Sequence, residues 1–228
     1  MITESIQLLK QVDLFSCLSE KELKELEPFL YERTYKKGQY LFLEEDPRLR
    51  IYILIEGFVM LEKSNQDGSL LYTNYVKRNT VFPYMGLFTN EEYNHSAVAE
   101  TDIRVLYMVT DAFETLISKN TMLLKKVILQ INELLAVQES RIKNVMTPSA
   151  HIRVLNTINY LMTDLGERQS GLIRINCPIT TTKISVMSGT SRETVSAVVN
   201  KLKKDKILSI KDRMLHIHKP EYFERKVI

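Results

Sequence analysis

Between about residues 20 and 110, apolar positions come in short runs closed by turn residues. Ile51, Ile53 and Ile55 alternate at period two, Phe58 and Met60 continue in the next run, and Gly57 separates the two. Such alternation places one set of side chains on one face of a strand. "YLFLEEDPRL" is a further apolar run, stopped by Asp46-Pro47, and "SAVAETDIRVLYMV" adds two more. Asp67-Gly68 falls between Val59–Lys63 and Ser69–Val76 and signals a hairpin, because both residues tolerate the positive φ of a tight turn. Many short strands closed by turns predict a sandwich or barrel. Ahead of them, Ser19 with Glu22 three residues on has capping-box spacing, so "SEKELKELEPFL" predicts a short helix.

The pattern changes at Thr110, after which no Gly or Pro occurs up to Met146. Ile128, Ile131, Leu135, Gln138, Ile142 and Val145 follow one another at alternating steps of three and four. This is a heptad seam with one polar position, and it predicts a long helix. Such a helix either packs on its own domain or pairs with a second copy. In the paired reading, Ile128, Ile131, Leu135, Gln138 and Ile142 form the dimer interface, and Gln138 fixes register or senses a ligand.

Thr147-Pro148 ends that helix, because the residue before proline avoids helical geometry. Ser149 caps the next one, "AHIRVLNTINYLMTDLG", which stops at Gly166. After the extended "GLIRINCPI", Thr182–Ser188 predicts a short helix and Gly189 a turn residue free to take positive φ. Ser191–Lys204 predicts a second helix, with Val195, Val198, Val199 and Leu202 as its buried stripe and small Ser185 where the helices cross. "ILSIKDRMLHIHK" then gives two short strands around Lys211-Asp212-Arg213, a wing. The elements describe a winged helix-turn-helix. The chain thus divides into three regions: 1–110, 111–146 and 147–228.

The chain has 228 residues, enough to bury a core, and its 44% hydrophobic and 26% charged residues are ordinary for a globular protein. No uninterrupted apolar run reaches about 18 residues, and the N-terminus lacks the pattern of a signal peptide, so a cytoplasmic protein without a membrane partner is expected. Two distant cysteines, Cys17 and Cys177, argue against a disulfide framework or a cysteine-held metal. The net charge of +3 conceals an asymmetry. Residues 147–228 hold 14 Lys+Arg and 7 Asp+Glu, net +7, which leaves 17 and 21, net −4, for residues 1–146. From Lys183 to Arg213 there are 8 basic and 3 acidic residues. A basic C-terminal part points to a polyanion as its partner.

The chemistry expected of that part comes from the outer face of the second helix. Arginine pairs bidentately with guanine, and glutamate accepts from the cytosine amino group. Arg192, Glu193 and Ser196 are therefore the candidate base readers, at the helix end that reaches the major-groove floor. Thr180, Thr182, Lys183, Ser191, Lys201, Lys211 and Arg213 are candidate phosphate contacts. Glu193 has a competing role, because Thr190-x-x-Glu193 also fits a capping box. No paired-carboxylate, nucleophile–base or metal-spacing motif stands out, so an enzyme is not expected.

"TTTKISVMSGTSRETVSAVVNKLKKDKIL" resembles the winged-helix domain of the CRP/FNR transcription regulators. The resemblance extends through "LFSCLSEKELKELEPFL", "YKKGQYLF", "YILIEGFVML" and "GLF" at 86–88. It implies an α+β chain with an N-terminal cyclic-nucleotide-binding-type β-roll, a long dimerisation helix and a C-terminal winged helix-turn-helix. It also implies a homodimer on a palindromic operator in double-stranded DNA, meeting RNA polymerase if it activates. In that family the residues matching Arg192, Glu193 and Ser196 commonly reach bases. The next reader is usually an arginine, where this chain has Ala197, so a half-site altered from TGTGA or TTGA is expected, with Asn200 or Lys201 as compensating contacts.

Cyclic-AMP binders of the family carry Gly-Glu-Leu-x-x-Phe and then Arg-Ser. Here the first reads "PYMGLF", with Tyr84 in place of the glutamate, and the second reads "HS", with His95 in place of the arginine. A neutral histidine is a poor anchor for an obligate anion and loses bidentate phosphate binding. Cyclic AMP is therefore not the expected effector: either another small molecule controls the protein or it is constitutively DNA-competent, and no resident cofactor is expected. The pocket for another effector would involve Tyr72, Tyr75, Tyr84, His95 and Gln138, against the alternative of ordinary packing. "VFPYMGLF" and "SRETVSAVVNKLKKDKI" also resemble the ArcR regulators of the arginine deiminase pathway, which implies control of arginine catabolism under low oxygen. The rival reading is a ligand-binding regulatory module without a DNA role.

Overall fold

The computed structural model describes residues 3–65, 70–169 and 171–224. The Asp67-Gly68 hairpin turn lies outside the described residues. Two compact units divide the chain: residues 1–63 with 74–135, and residues 64–73 with 136–228.

The first unit opens with helices α1 (Glu4–Leu9) and α2 (Glu20–Glu25). The expected capping box on α2 is present: the Ser19 backbone N–H donates to Glu22 Oε2 (2.8 Å), and the Glu22 N–H donates to Ser19 Oγ (3.3 Å). Along the chain eight strands follow among the described residues: β1 (Tyr31–Tyr35), β2 (Tyr40–Phe42), β3 (Arg50–Glu56), β4 (Val59–Ser64), β5 (Leu70–Val76), β6 (Thr80–Phe82), β7 (Ser96–Ala99) and β8 (Ile103–Val109), of which Ser64 of β4 and residues 70–73 of β5 are assigned to the second unit. They form two four-stranded sheets ordered β1-β8-β3-β6 and β2-β7-β4-β5. Strands β7 and β8 are neighbours in sequence yet belong to different sheets. β7 pairs with β2 and β4, and β8 with β1 and β3.

Strand β3 shows why alternation captured half of the core. Ile51, Ile53 and Ile55 pack with Leu106 and Met108 against the N-terminal helices and against Phe113 and Ile117. The intervening Tyr52 and Leu54 are buried too, on the opposite face, with Phe42, Val59 and Ala97 of the second sheet. A sheet covered on both sides reads as a continuous apolar run rather than an alternating one. At the end of β3, Gly57 has φ +82°, and a Cβ there would lie 2.4 Å from the Asp102 carbonyl oxygen. The turn accepts no side chain at that point.

The segment expected as one helix is two: α3 (Thr110–Lys119) and α4 (Thr121–Met146). Asn120 separates them in an extended conformation (φ −121°, ψ 100°). Its Oδ1 accepts from the Leu123 N–H (3.0 Å) and its Nδ2 donates to Glu22 Oε1 (3.1 Å). An asparagine amide that supplies a helix-start acceptor competes with continued helix, and no Gly or Pro is needed.

The second unit is built on α5 (Ala150–Leu165), capped by Ser149, whose Oγ accepts from the Ile152 N–H (3.4 Å). Strands β9 (Gly166–Gln169) and β10 (Leu172–Ile175) precede α6 (Thr181–Ser188) and α7 (Arg192–Lys204). Then come β11 (Leu208–Lys211), β12 (Met214–Ile217) and α8 (Glu221–Glu224). The strands form one sheet ordered β11-β12-β10-β9. Helix α5 packs on α6, α7, α8 and β10, with Leu155, Ile158 and Leu161 buried.

Candidate nucleic-acid interface

Helices α6 and α7 with their connecting turn form the helix-turn-helix. Thr180 caps α6, its Oγ1 accepting from the Lys183 N–H (3.3 Å). Gly189 ends it with φ +57°, the left-handed conformation that the turn requires. The turn is closed inside by hydroxyls. Ser188, fully buried, donates to the Ile184 carbonyl (2.7 Å) and meets Thr190 Oγ1 at 2.8 Å, while the Thr190 N–H donates to Ser185 O (3.0 Å). Several hydroxyls of the stretch are thus committed to building the motif.

The cap of α7 is Ser191, which accepts from the Thr194 N–H (3.2 Å). This corrects the Thr190–Glu193 capping box: the cap sits one residue later. The Glu193 carboxylate is held below its ordinary range by a hydrogen bond from its own backbone N–H, then by one from the Ser191 hydroxyl, with Arg192 adding attraction. It stays ionised and able to accept from a base amino group.

Val195, Val198, Val199 and Leu202 are buried as the stripe predicts. Their burial turns Arg192, Glu193, Ala197, Asn200 and Lys201 outward, and leaves Ser196 half-buried at the edge of the outer face. Thr180, Thr182 and Lys183 are half-buried on α6, and Ser191 is exposed. The wing is the β11–β12 hairpin, with Asp212 (φ +52°) and Arg213 (φ +64°) both left-handed at its tip. Two successive positive φ values are the signature of a type I′ turn. Lys211 and Arg213 are exposed on it, and the Arg213 carbonyl accepts from the Ile179 N–H (3.0 Å), which ties the wing to the start of α6. The candidate base readers therefore lie on the outer face of α7 or at its edge, and the candidate cationic phosphate contacts Lys183, Lys201, Lys211 and Arg213 stand on α6, α7 and the wing.

Sequence reasoning passed over Arg153, on α5. Its guanidinium donates from Nε to Ser188 O (3.0 Å), from Nη1 to Thr147 O (2.8 Å) and Pro148 O (3.3 Å), and from Nη2 to Gly189 O (3.1 Å). One planar cation fastens the end of α4 to the turn of the helix-turn-helix. Asn144 adds to this, its Nδ2 donating to Arg153 O and Thr157 Oγ1 (both 3.2 Å). An arginine on an amphipathic helix has no spacing that separates such a pin from a solvated charge.

The candidate effector residues fall into two groups, one in each unit. In the first unit, Tyr84 is buried, and its hydroxyl donates to Gln130 on α4. Burial pushes that phenol up. Tyr75 is also buried. Burial holds the half-buried His95 below its ordinary value, with Lys63 adding to the effect and Glu44 opposing it. The loop after Tyr84 is fastened by Arg48, whose Nε donates to Asn90 O (3.0 Å) and which pairs with Glu114 of α3 (2.5 Å). In the second unit, Tyr72 and Gln138 meet at Arg141, another residue that sequence reasoning missed. Arg141 lies over the Tyr72 ring (5.0 Å to its centre) and donates to Thr73 O (2.9 Å) and Gln138 Oε1 (3.4 Å). Among the described residues, no group of three or more His, Cys, Asp or Glu is placed to hold a metal ion, and no helix is long and apolar enough to cross a membrane.

Comparison with known proteins agrees with this geometry. Residues 32–120 match the cyclic nucleotide-binding domain family, and residues 153–226 match the Crp-like helix-turn-helix domain family. The HTH-type transcriptional regulator ArcR of Staphylococcus aureus (strain Newman) is 30% identical over 192 residues, 82% of this chain and 80% of that protein. FixK2 from Bradyrhizobium japonicum shares the fold with a TM-score of 0.75 at 19% identity, over 87% of this chain and 98% of that one. A CRP/FNR-family transcriptional regulator from Thermus thermophilus does so with a TM-score of 0.67 at 22% identity, over 86% and 97%. With an N-terminal roll, a C-terminal winged helix-turn-helix and an ArcR relative spanning most of its length, the chain belongs to the CRP/FNR family of DNA-binding transcription regulators and is not an enzyme.

Proposed function

We propose that the protein works as a parallel homodimer, paired through α4, that presents two α7 helices to the half-sites of a palindromic operator. The observation that carries this reading is the apolar face of α4. Ile128, Ile131, Leu135, Ile142 and Val145 are between 39% and 64% exposed in the single chain, at the heptad spacing that a second helix covers. Arg192, Glu193 and Ser196 read bases, while Thr180, Thr182, Lys183, Ser191, Lys201, Lys211 and Arg213 position the phosphates. Sedimentation equilibrium tests the assembly: the reading expects a dimer at micromolar concentration, and a monomer at every concentration contradicts it.

Control by something other than cyclic AMP is part of the same proposal. The buried phenol of Tyr84 and the proton-poor His95 support it, since neither offers a cyclic phosphate a permanent positive charge. Titration calorimetry with cyclic AMP is expected to show no binding, and micromolar binding would overturn the point. Tyr72 and Gln138, joined by Arg141, and Tyr75, Tyr84 and His95 in the roll remain the residues proposed to respond to an effector. Such an effector would act by population shift, changing the geometry of the dimer helix and hence the spacing of the two α7 helices. The ArcR resemblance supports genes of arginine catabolism as targets, in the cytoplasm, with RNA polymerase as the partner of an activator.

A further inference from the structure

We propose that Ala197 is a specificity-determining residue whose methyl group reads the 5-methyl of a thymine in each half-site. The inference rests on the reading that the outer face of α7 enters the major groove. The buried stripe Val195, Val198, Val199 and Leu202 fixes the rotation of the helix. At 3.6 residues per turn, Ala197 points within about 40° of Glu193 and about 60° of Asn200. It therefore stands in the middle of the exposed face, flanked by Glu193, Ser196, Asn200 and Lys201, all of which end in polar groups.

A single methyl at that place has two consequences. No long side chain holds the helix backbone away from the base edges, so the groove floor can approach closely. The group that meets it is apolar, and the apolar feature of the major-groove edge is the thymine methyl, which alanine is suited to contact. The helical Cβ tilts toward the N-terminus, so the methyl leans toward the turn that carries Glu193. Four residues of helix advance about 6 Å along the axis. With base pairs about 3.4 Å apart, the thymine lies one or two pairs from the pair that Glu193 reads.

Uracil in place of thymine deletes the 5-methyl and leaves every hydrogen-bonding group unchanged, so it isolates the proposed contact. In binding assays with the full-length protein on its selected operator, each thymine is replaced in turn by uracil. One position per half-site is expected to weaken binding roughly fourfold, the value of one buried methyl-sized group. Ala197→Gly is expected to bind thymine and uracil duplexes equally at that position and to keep its preferences elsewhere. Ala197→Ser, which does not put glycine inside a helix, is expected to lose the same methyl preference. Thermal melting of both variants confirms that the domain is folded. Uracil effects that persist unchanged in both folded variants overturn the proposal, as does a half-site with no uracil-sensitive position. Arg192→Ala and Glu193→Ala separate the causes. If they relax their own base pairs while Ala197 shows no coupling, the role of Ala197 alone fails. If they leave specificity untouched, the placement of α7 fails and the role of Ala197 falls with it.

Discussion

Replacing Arg153 with alanine removes four hydrogen bonds from one cation. Two of the accepting carbonyls, Ser188 O and Thr147 O, are partly buried, while the contacts to Pro148 O and Gly189 O are exposed and water takes them over. A hydrogen bond to a charged group is worth about 1.5–3 kcal/mol. Counting the two partly buried bonds at the low end gives a loss of about 3 kcal/mol, which lowers the melting temperature by roughly 6–12 °C for a chain of this size. Arg153→Lys keeps the charge but lacks the planar fork, so it falls between the two. Because Ser188 and Gly189 form the turn ahead of α7, operator affinity is expected to drop along with stability. Urea unfolding and operator titration of the three proteins measure both. An alanine variant within about 0.5 kcal/mol of wild type, with unchanged affinity, would refute the assignment of Arg153 as the pin.

Leu135→Asp or Ile142→Asp sets a charge in the exposed apolar seam of α4 and is expected to give a folded monomer with much weaker operator binding; an unchanged dimer mass contradicts the seam. Arg192→Ala and Glu193→Ala are each expected to cost about 1–3 kcal/mol of binding and to relax one base pair, read by site selection with each variant. His95 has a folded-state pKa below its ordinary value, so the unfolded chain takes up the proton first as pH falls. Stability contributed by neutral His95 is therefore complete above pH 6.5 and is lost downward from there, toward the lowered folded value. Urea midpoints at pH 7.5 and 5.5 are expected to change less in His95→Gln than in wild type, and an equal change would contradict the burial of the imidazole.

The winged helix-turn-helix was the most legible part of the sequence, because its signals are local. A valine stripe and a glycine at a left-handed turn act within a few residues and lie where spacing puts them, while the cap of α7 falls one residue beyond the Thr190 box, at Ser191. The roll was legible as strands of a sandwich or barrel, but which strands share a sheet was not. Tyr52 and Leu54 fall between the isoleucines of β3, and nothing in period two shows that a second layer covers their face. The break at Asn120 was invisible to a search for Gly and Pro, because the cause is a side-chain amide that caps the start of α4. Arg153 and Arg141 were missed for a related reason. Their partners are backbone carbonyls and a tyrosine ring brought near by tertiary packing, and residue spacing does not encode them.

Selection of bound duplexes from a random pool by the full-length protein tests the central claim most directly. The claim is that a dimer lays two α7 helices into successive major grooves. It predicts an imperfect palindrome with half-sites about one helical turn apart, roughly 34–36 Å centre to centre, in which Arg192→Ala and Glu193→Ala each blur one pair per half-site. Enrichment of a single unrepeated half-site, or of no sequence at all, would contradict it.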